Sequence, residues 1–175
     1  MNPREFFLNP ADYGLPTREE LVGYRIWDNH FHGFAAGNPI EQYERNSYFV
    51  ERMGIERSIS QEVGGTLEKP FDPYPYDAAI LHILERDKDR LSGRTPVDPG
   101  FPDESCAKIE KWVRDGPCIG IKYWISSVEG ITCSHPNNDP IVRLAAELDV
   151  HIYVHTWLQV GGTPRLPGGG NPASE

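Results

Sequence analysis

Long apolar runs are missing from this sequence, and so is an excess of positive charge. No stretch reaches the about 18 to 20 consecutive apolar residues that a membrane-spanning helix needs. The first residues lack the basic region and apolar core of a secretory signal. With 17 Lys and Arg against 26 Asp and Glu, the net charge is −9, which disfavours nucleic acid and anionic membranes as partners. We therefore expect a cytoplasmic protein that binds a small molecule or another protein.

Cysteines are few, and nucleotide-binding glycine motifs are absent. Cys106, Cys118 and Cys133 are an odd number without C-x-x-C spacing. We expect reduced thiols, with metal ligation by cysteine as the alternative. Neither G-x-G-x-x-G nor G-x-x-x-x-G-K-[ST] follows the first predicted strand, so the binding of nucleotide phosphates has no support in the sequence.

The sequence does contain enough apolar residues for one folded domain, at 38% of 175 residues. Residues 1–23 are rich in proline and polar residues and are interpreted as an N-terminal arm, in which Thr17 and Glu20 could cap a short helix. Residues 24–175 form the predicted domain. It ends in the Gly/Pro-rich segment LQVGGTPRLPGGGNPASE, which is either a lid over a site or a mobile tail.

Strand and helix signals alternate through this domain with a repeat of roughly 30 residues. Short apolar segments predict five strands, at 24–32, 56–63, 91–100, 118–126 and 149–157. Amphipathic segments predict the helices between them, at 38–55, 77–90, 103–115 and 138–148. This order indicates parallel strands joined by right-handed crossovers, in an open doubly wound sheet or in a (β/α) barrel.

The alternation of side chains along the strands separates these two architectures, because successive side chains point to opposite faces. One face of the first, fourth and fifth strands carries the polar groups among its residues: Ile26, Asp28, His30 and His32; Gly120, Lys122 and Trp124; His151, Tyr153 and His155. The other face is mainly apolar: Trp27, Asn29 and Phe31; Ile119, Ile121 and Tyr123; Val150, Ile152 and Val154. A doubly covered open sheet should be apolar throughout, whereas a barrel interior can hold polar groups near its mouth. The pattern favours an α/β fold of the (β/α)8 TIM-barrel type, truncated after about five βα units.

Two histidines, His30 and His32, end the first predicted strand within the stretch DNHFHG. They share a face about 7 Å apart, at the carboxyl end where barrel enzymes build their sites. His155 has inward parity at the carboxyl end of the fifth strand. Three imidazoles with an open position suit a catalytic Zn²⁺ or similar ion, which would lower the pKa of a bound water to about 7. The other histidines are interpreted as structural or exposed: His82, His135 and His151.

Three further residues near the same mouth are candidates for binding a substrate. Lys122 has inward parity on the fourth strand and could bind a substrate carboxylate or, once carbamylated, bridge metals. It could equally pair with a carboxylate such as Asp98 or Glu62. Trp124 and Trp157 could form the walls of a pocket, or could simply pack in the core.

Four pieces of the sequence, in order, match a known pattern: DNHFHG (28–33), the VDPG turn (97–100), GIKYW (120–124) and LAAELDVHIYVHT (144–156). With these pieces the chain resembles the amidohydrolase-related family of metal-dependent hydrolases and decarboxylases. The resemblance covers residues 24–175 and implies a (β/α)8 barrel in which His30, His32 and His155 bind a divalent ion. Zn²⁺ is the first expectation and Mn²⁺ the alternative, because imidazole ligands alone do not select the ion.

The family pattern also includes a His after the sixth strand and an Asp at the eighth, and these 175 residues hold neither strand. The catalytic residues are therefore expected beyond residue 175, in a longer protein or in a complementing C-terminal portion; a homo-oligomer is a further option. The expected activity is hydrolysis of C–N or C–O bonds in a small molecule. The alternatives are non-oxidative decarboxylation, a catalytically inactive barrel fragment that self-associates through its open edge, and a flavodoxin-like binding domain without a metal.

Overall fold

The computed structural model describes residues 14, 16–17, 19–34, 38–65, 71–72, 74–123, 128 and 130–154. Within them, nine regular elements follow one another in the predicted order. The strands are β1 (Ile26–Phe31), β2 (Ile55–Ser60), β3 (Leu91–Val97), β4 (Cys118–Tyr123) and β5 (His151–Val154). The helices are α1 (Pro39–Arg52), α2 (Asp77–Arg86), α3 (Pro102–Ile109), which continues as a π-helical turn (Glu110–Arg114), and α4 (Asn138–Glu147).

The five strands form one parallel sheet in which spatial order equals chain order, β1-β2-β3-β4-β5. The predicted alternation and the parallel pairing are therefore confirmed. Most differences lie at element ends. For example, β2 stops at Ser60 rather than at residue 63, and residues 61–63 lie in the connection that follows the strand.

The sheet is curled, and contacts between its two outermost strands demonstrate this. In a flat sheet, β1 and β5 would lie four strand spacings apart, or about 19 Å. The Tyr153 hydroxyl on β5 nevertheless lies 3.0 Å from Nδ1 of His30 on β1. Arg94 on β3 also reaches both Asn29 and His151. The open, flavodoxin-like sheet is therefore wrong, and the strands form a half-barrel with a polar interior.

The apolar core lies between the outside of the sheet and the helices. Helix α2 buries Ile80, Ile83 and Leu84, which recur at helical spacing on one side. Ile121 of β4 is fully buried in the same cluster. Since Ile121 faces the helices, its neighbours Gly120 and Lys122 face the interior, as the alternation predicted.

One side chain of β1 departs from the predicted alternation. Asn29 was expected on the helix side with Phe31, yet its Oδ1 accepts a 2.6 Å hydrogen bond from Arg94 in the interior. The register of β1 against β2 shifts between Asp28 and Phe31. An extra residue of this kind breaks strict alternation and re-aims side chains. As a result, Asn29 and His30 both contribute to the interior.

The N-terminal arm and the C-terminal Gly/Pro-rich segment lie largely or wholly outside the described residues. Of the arm, residues 14, 16–17 and 19–23 are described. There the Thr17 amide donates to Glu20 Oε2 at 2.7 Å and the Glu20 amide donates to the Thr17 hydroxyl at 3.3 Å. This reciprocal capping contact is the expected one, although turns rather than a regular helix follow it. The Gly/Pro-rich segment at 158–175 lies outside the described residues.

Candidate metal centre

The carboxyl end of β1 brings His30 and His32 together, as the sequence predicted. Their ring centroids lie 4.8 Å apart. The main chain of His32 is held against α1, since its carbonyl accepts a 3.1 Å hydrogen bond from Asn46. His32 keeps 47% of its side chain exposed, so it stands at the mouth of the half-barrel.

Each of the two imidazoles has a partner at Nδ1. Nδ1 of His30 lies 3.0 Å from the Tyr153 hydroxyl. Nδ1 of His32 contacts Oε1 of Glu62, a buried carboxylate just after β2. The hydrogen bond to Glu62 raises the pKa of His32, against the opposing effect of burial. With Nδ1 occupied in this way, Nε2 is the nitrogen that each ring would present to a metal ion.

Two cations lie beside the Tyr153 ring in the interior. The Lys122 ammonium is 4.2 Å from the ring centroid, and the Arg94 guanidinium carbon is 4.6 Å from it. Lys122 is fully buried. Burial, and then the charge of Arg94, lowers the pKa of Lys122 to about 8, while Glu62 acts in the opposite direction. Of the two carboxylates considered as partners, Glu62 is the one whose charge acts on Lys122.

Arg94 is an interior residue that the sequence reasoning missed. Its guanidinium donates to Nε2 of His151 at 2.6 Å, to the main-chain oxygen of Asn29 at 2.8 Å and to Oε1 of Gln61 at 3.4 Å. It is 3% exposed, and burial lowers its pKa. Among the residues that the structure describes, no carboxylate forms a salt bridge with it. The available signal was a lone charge at the centre of an otherwise uncharged strand, LSGRTPV.

The remaining predicted site residues, His155, Trp124 and Trp157, lie outside the described residues. Within the described part of the chain, no group of three or more His, Cys, Asp or Glu side chains is arranged to hold a metal ion. His30 and His32 therefore amount to a pair of ligand candidates. The chemistry of this pair fits a first-row divalent ion, because two imidazoles with Nδ1 engaged are ordinary ligands for such ions.

The other described histidines either face solvent or form local hydrogen bonds. His82 is exposed on α2, and His135 accepts a hydrogen bond from the amide of Asn137 within its own loop. His151 serves as a hydrogen-bond acceptor for Arg94. The three cysteines form no disulfide with one another. No helix in the described ranges is long and apolar enough to cross a membrane.

Comparison with known proteins gives matches at the level of the fold. No family model matches the chain, and no curated protein does. A protein of Staphylococcus aureus described as an amidohydrolase matches with a TM-score of 0.58 and 12% identity, over 78% of this chain and 48% of its own. The 2,6-dihydroxybenzoate decarboxylase of Rhizobium matches with a TM-score of 0.57 and 16% identity, over 79% and 51%. At these identities the matches show the fold alone: this chain shares a half-barrel of parallel strands and helices with part of each of these proteins.

A third solved structure adds a metal ion to the comparison. The 5-carboxyvanillate decarboxylase of Novosphingobium aromaticivorans, complexed with manganese and a nitrobenzoic acid, matches with a TM-score of 0.53 and 17% identity, over 77% of this chain and 51% of its own. The chain spans about half the length of each matched protein. The predicted fold, a TIM-type barrel represented by about five βα units, is confirmed.

Proposed function

We propose that this chain supplies the first part of a divalent-metal centre in a barrel enzyme that acts on a small anionic molecule. The observation that carries the proposal is the pair of imidazoles at the carboxyl end of β1, each with a partner at Nδ1. His30 and His32 would bind the ion together with His155. When bound, the ion would polarise a substrate oxygen or activate a water molecule. Zn²⁺ and Mn²⁺ both suit these ligands, and one of the matched decarboxylases is complexed with manganese.

The interior cations suggest what kind of substrate the site would take. Arg94 and Lys122 both lie against the aromatic ring of Tyr153 in the interior. The charge of Glu62 acts on Lys122, and the same carboxylate also contacts His32. Two neighbouring cations attract an anion strongly where water is scarce. A carboxylate-bearing substrate would therefore be held by Lys122, with Arg94 beside it and Trp124 and Trp157 as candidate walls.

Two reactions fit this arrangement. Hydrolysis of a C–N or C–O bond uses the same ligands as non-oxidative decarboxylation. The two cations favour a carboxylic acid as substrate, and two of the matched structures are decarboxylases. Decarboxylation is thus the activity to assay first, with hydrolysis beside it. In either case we propose that the proton is handled by residues outside these 175, namely the Asp and the His that the family pattern adds. Location in the cytoplasm, and assembly with a complementing portion or a second copy, stay predictions.

The test uses the protein encoded by the complete natural reading frame. Metal content is measured by mass spectrometry, and turnover is measured on panels of aromatic carboxylic acids, amides and esters. We expect about one ion per chain, with loss of both metal and turnover in His32→Ala. His82→Ala, which removes an exposed histidine from α2, is the matched control and should keep both. Full turnover in a metal-free preparation would contradict the proposal.

A further inference from the structure

Glu62 is a buried carboxylate with a defined contact at the candidate metal centre. It is 2% exposed, and its Oε1 contacts Nδ1 of His32, whereas the His32 side chain itself is 47% exposed. An exposed imidazole can rotate, and either nitrogen of a neutral ring can carry the proton. A fixed acceptor at Nδ1 removes both freedoms, because it keeps the proton on Nδ1 and leaves the lone pair on Nε2.

The carboxylate is itself held in place by side-chain and main-chain contacts. The Ser60 hydroxyl donates to Oε2 of Glu62 at 3.2 Å. On one side of Glu62, the Gln61 amide donates to the Phe31 carbonyl at 3.2 Å. On the other side, the Val63 amide donates to the Arg94 carbonyl at 3.1 Å. Glu62 is thus attached to β1 and β3 through its immediate neighbours, so its position relative to His32 is fixed.

The turn after Glu62 leaves this segment little room to shift. Gly64 has φ +77°, a conformation that favours glycine, and a Cβ at this position would overlap the ring of Trp112. Val63 is fully buried, and a Cβ on Gly93 would overlap its side chain. Two close approaches that only glycine permits therefore fix the main chain on the carboxyl side of Glu62.

From these contacts we infer that Glu62 is a positioning residue, which orients His32 so that Nε2 faces the metal ion and strengthens His32 as a ligand. The inference rests on the proposed function, since it assigns a role at the same metal centre. An outer carboxylate of this kind typically changes metal affinity by about 10- to 100-fold. Attraction between Glu62 and the charge of Lys122 is the competing explanation for a buried carboxylate here, and it predicts no effect on the metal.

The experiment compares the wild-type protein with Glu62→Gln, Glu62→Ala and Glu56→Gln, each in the complete natural chain. Glu56→Gln is the matched control, because Glu56 is an exposed carboxylate on β2, the strand that precedes Glu62, and it pairs with Arg25. Affinity for Mn²⁺ and for Zn²⁺ is measured by competition with a chelator. The tautomer of His32 is read from long-range ¹H–¹⁵N correlations of the metal-free protein. Thermal unfolding of each metal-free variant shows whether a loss of metal affinity comes from a less stable fold or from a misoriented His32.

We expect about 10- to 100-fold weaker metal binding in Glu62→Gln, with wild-type affinity in Glu56→Gln. Glu62→Ala should shift His32 from the Nδ1–H tautomer towards a mixture. Wild-type affinity in Glu62→Gln together with an unchanged tautomer in Glu62→Ala would overturn the inference. If Glu62→Ala fails to fold, the nearly isosteric Glu62→Gln still decides the matter through affinity. If the wild-type protein binds neither ion, the proposed function fails, while the tautomer comparison still tests the role of Glu62.

Discussion

Replacing Lys122 with methionine should stabilise the protein at neutral pH. Lys122 is fully buried, and its pKa falls from 10.5 to about 8, chiefly because burial disfavours the charged form. Each pKa unit corresponds to about 1.4 kcal/mol, so holding this charge inside the folded chain costs at most about 3.5 kcal/mol. Methionine has a similar length and carries no charge. It also gives up the attraction between the ammonium and the Tyr153 ring, about 1 to 2 kcal/mol, which leaves a net gain of at most about 2 kcal/mol.

The sign of the pH dependence follows from which state binds the proton more tightly. The folded protein has the lower pKa, so below about pH 8 it carries the full cost of the buried charge. The cost falls as the pH rises from about 8 to 10.5 and is absent above that range. The stability advantage of Lys122→Met should therefore shrink over this window and approach zero above it, where the ammonium charge and its attraction to the Tyr153 ring are both gone.

Urea unfolding at a series of pH values from 6 to about 11 measures this difference. Lys88→Met, which removes an exposed lysine from the turn after α2, is the control and should change stability by less than about 0.5 kcal/mol. A pH-independent difference, or a Lys122→Met variant that is less stable at pH 7, would refute the reasoning. The proposed function adds that Lys122→Met binds a carboxylate substrate more weakly even as it folds more stably.

Two further pairs of variants test the packing around the candidate site. Gly64→Ala should lower the free energy of unfolding by about 2 kcal/mol or more, because it combines a strained φ with overlap against Trp112. Gly130→Ala is the control: it has φ +82° but open space around it, so it should lower the free energy of unfolding by only about 1 kcal/mol. Equal costs in chemical denaturation would contradict the role given to Trp112. Ser58→Ala should be neutral or stabilising, because the buried Ser58 hydroxyl has no hydrogen-bond partner among the described residues. Ser105→Ala should cost about 1 to 3 kcal/mol, because it removes the hydroxyl that accepts a hydrogen bond from the Asp98 amide. A destabilised Ser58→Ala protein would show that the hydroxyl is satisfied after all.

The sequence predicted the fold wherever strands are regular. Along β4 and β5, simple alternation placed Gly120, Lys122, His151 and Tyr153 in the interior, and the contacts of Lys122 and Tyr153 confirm this. The order of elements alone was enough for a parallel sheet, because strands joined by helical crossovers pair in parallel. The alternation failed at Asn29, because a register shift in β1 depends on pairing with β2 and leaves no mark in the sequence of β1 itself.

The candidate site was only partly predictable for a related reason. His30 and His32 are close in the chain, so local spacing brings them together. Their partners Tyr153 and Glu62 come from other strands, and the curvature of the sheet decides which side chains meet. Arg94 was missed because its guanidinium donates to β1, to β5 and to Gln61 after β2, and no single window of sequence contains all of these partners. The roles proposed for His155, Trp124 and Trp157 stay predictions, since these residues lie outside the described part of the chain.

The strands lie in the sheet in the same order as in the chain, and this order affects how the protein folds during synthesis. Each strand pairs with the strand synthesised just before it, so the sheet can grow one βα unit at a time as the chain leaves the ribosome. No strand of the described sheet has to wait for a distant partner, which keeps loop-closure costs small at every step. The exceptions are the links across the interior, from Arg94 to His151 and from Tyr153 to His30, which form only after β5 has emerged. Synthesis of β5 would therefore complete the polar interior around the histidines last, after the apolar layer outside it has already begun to pack.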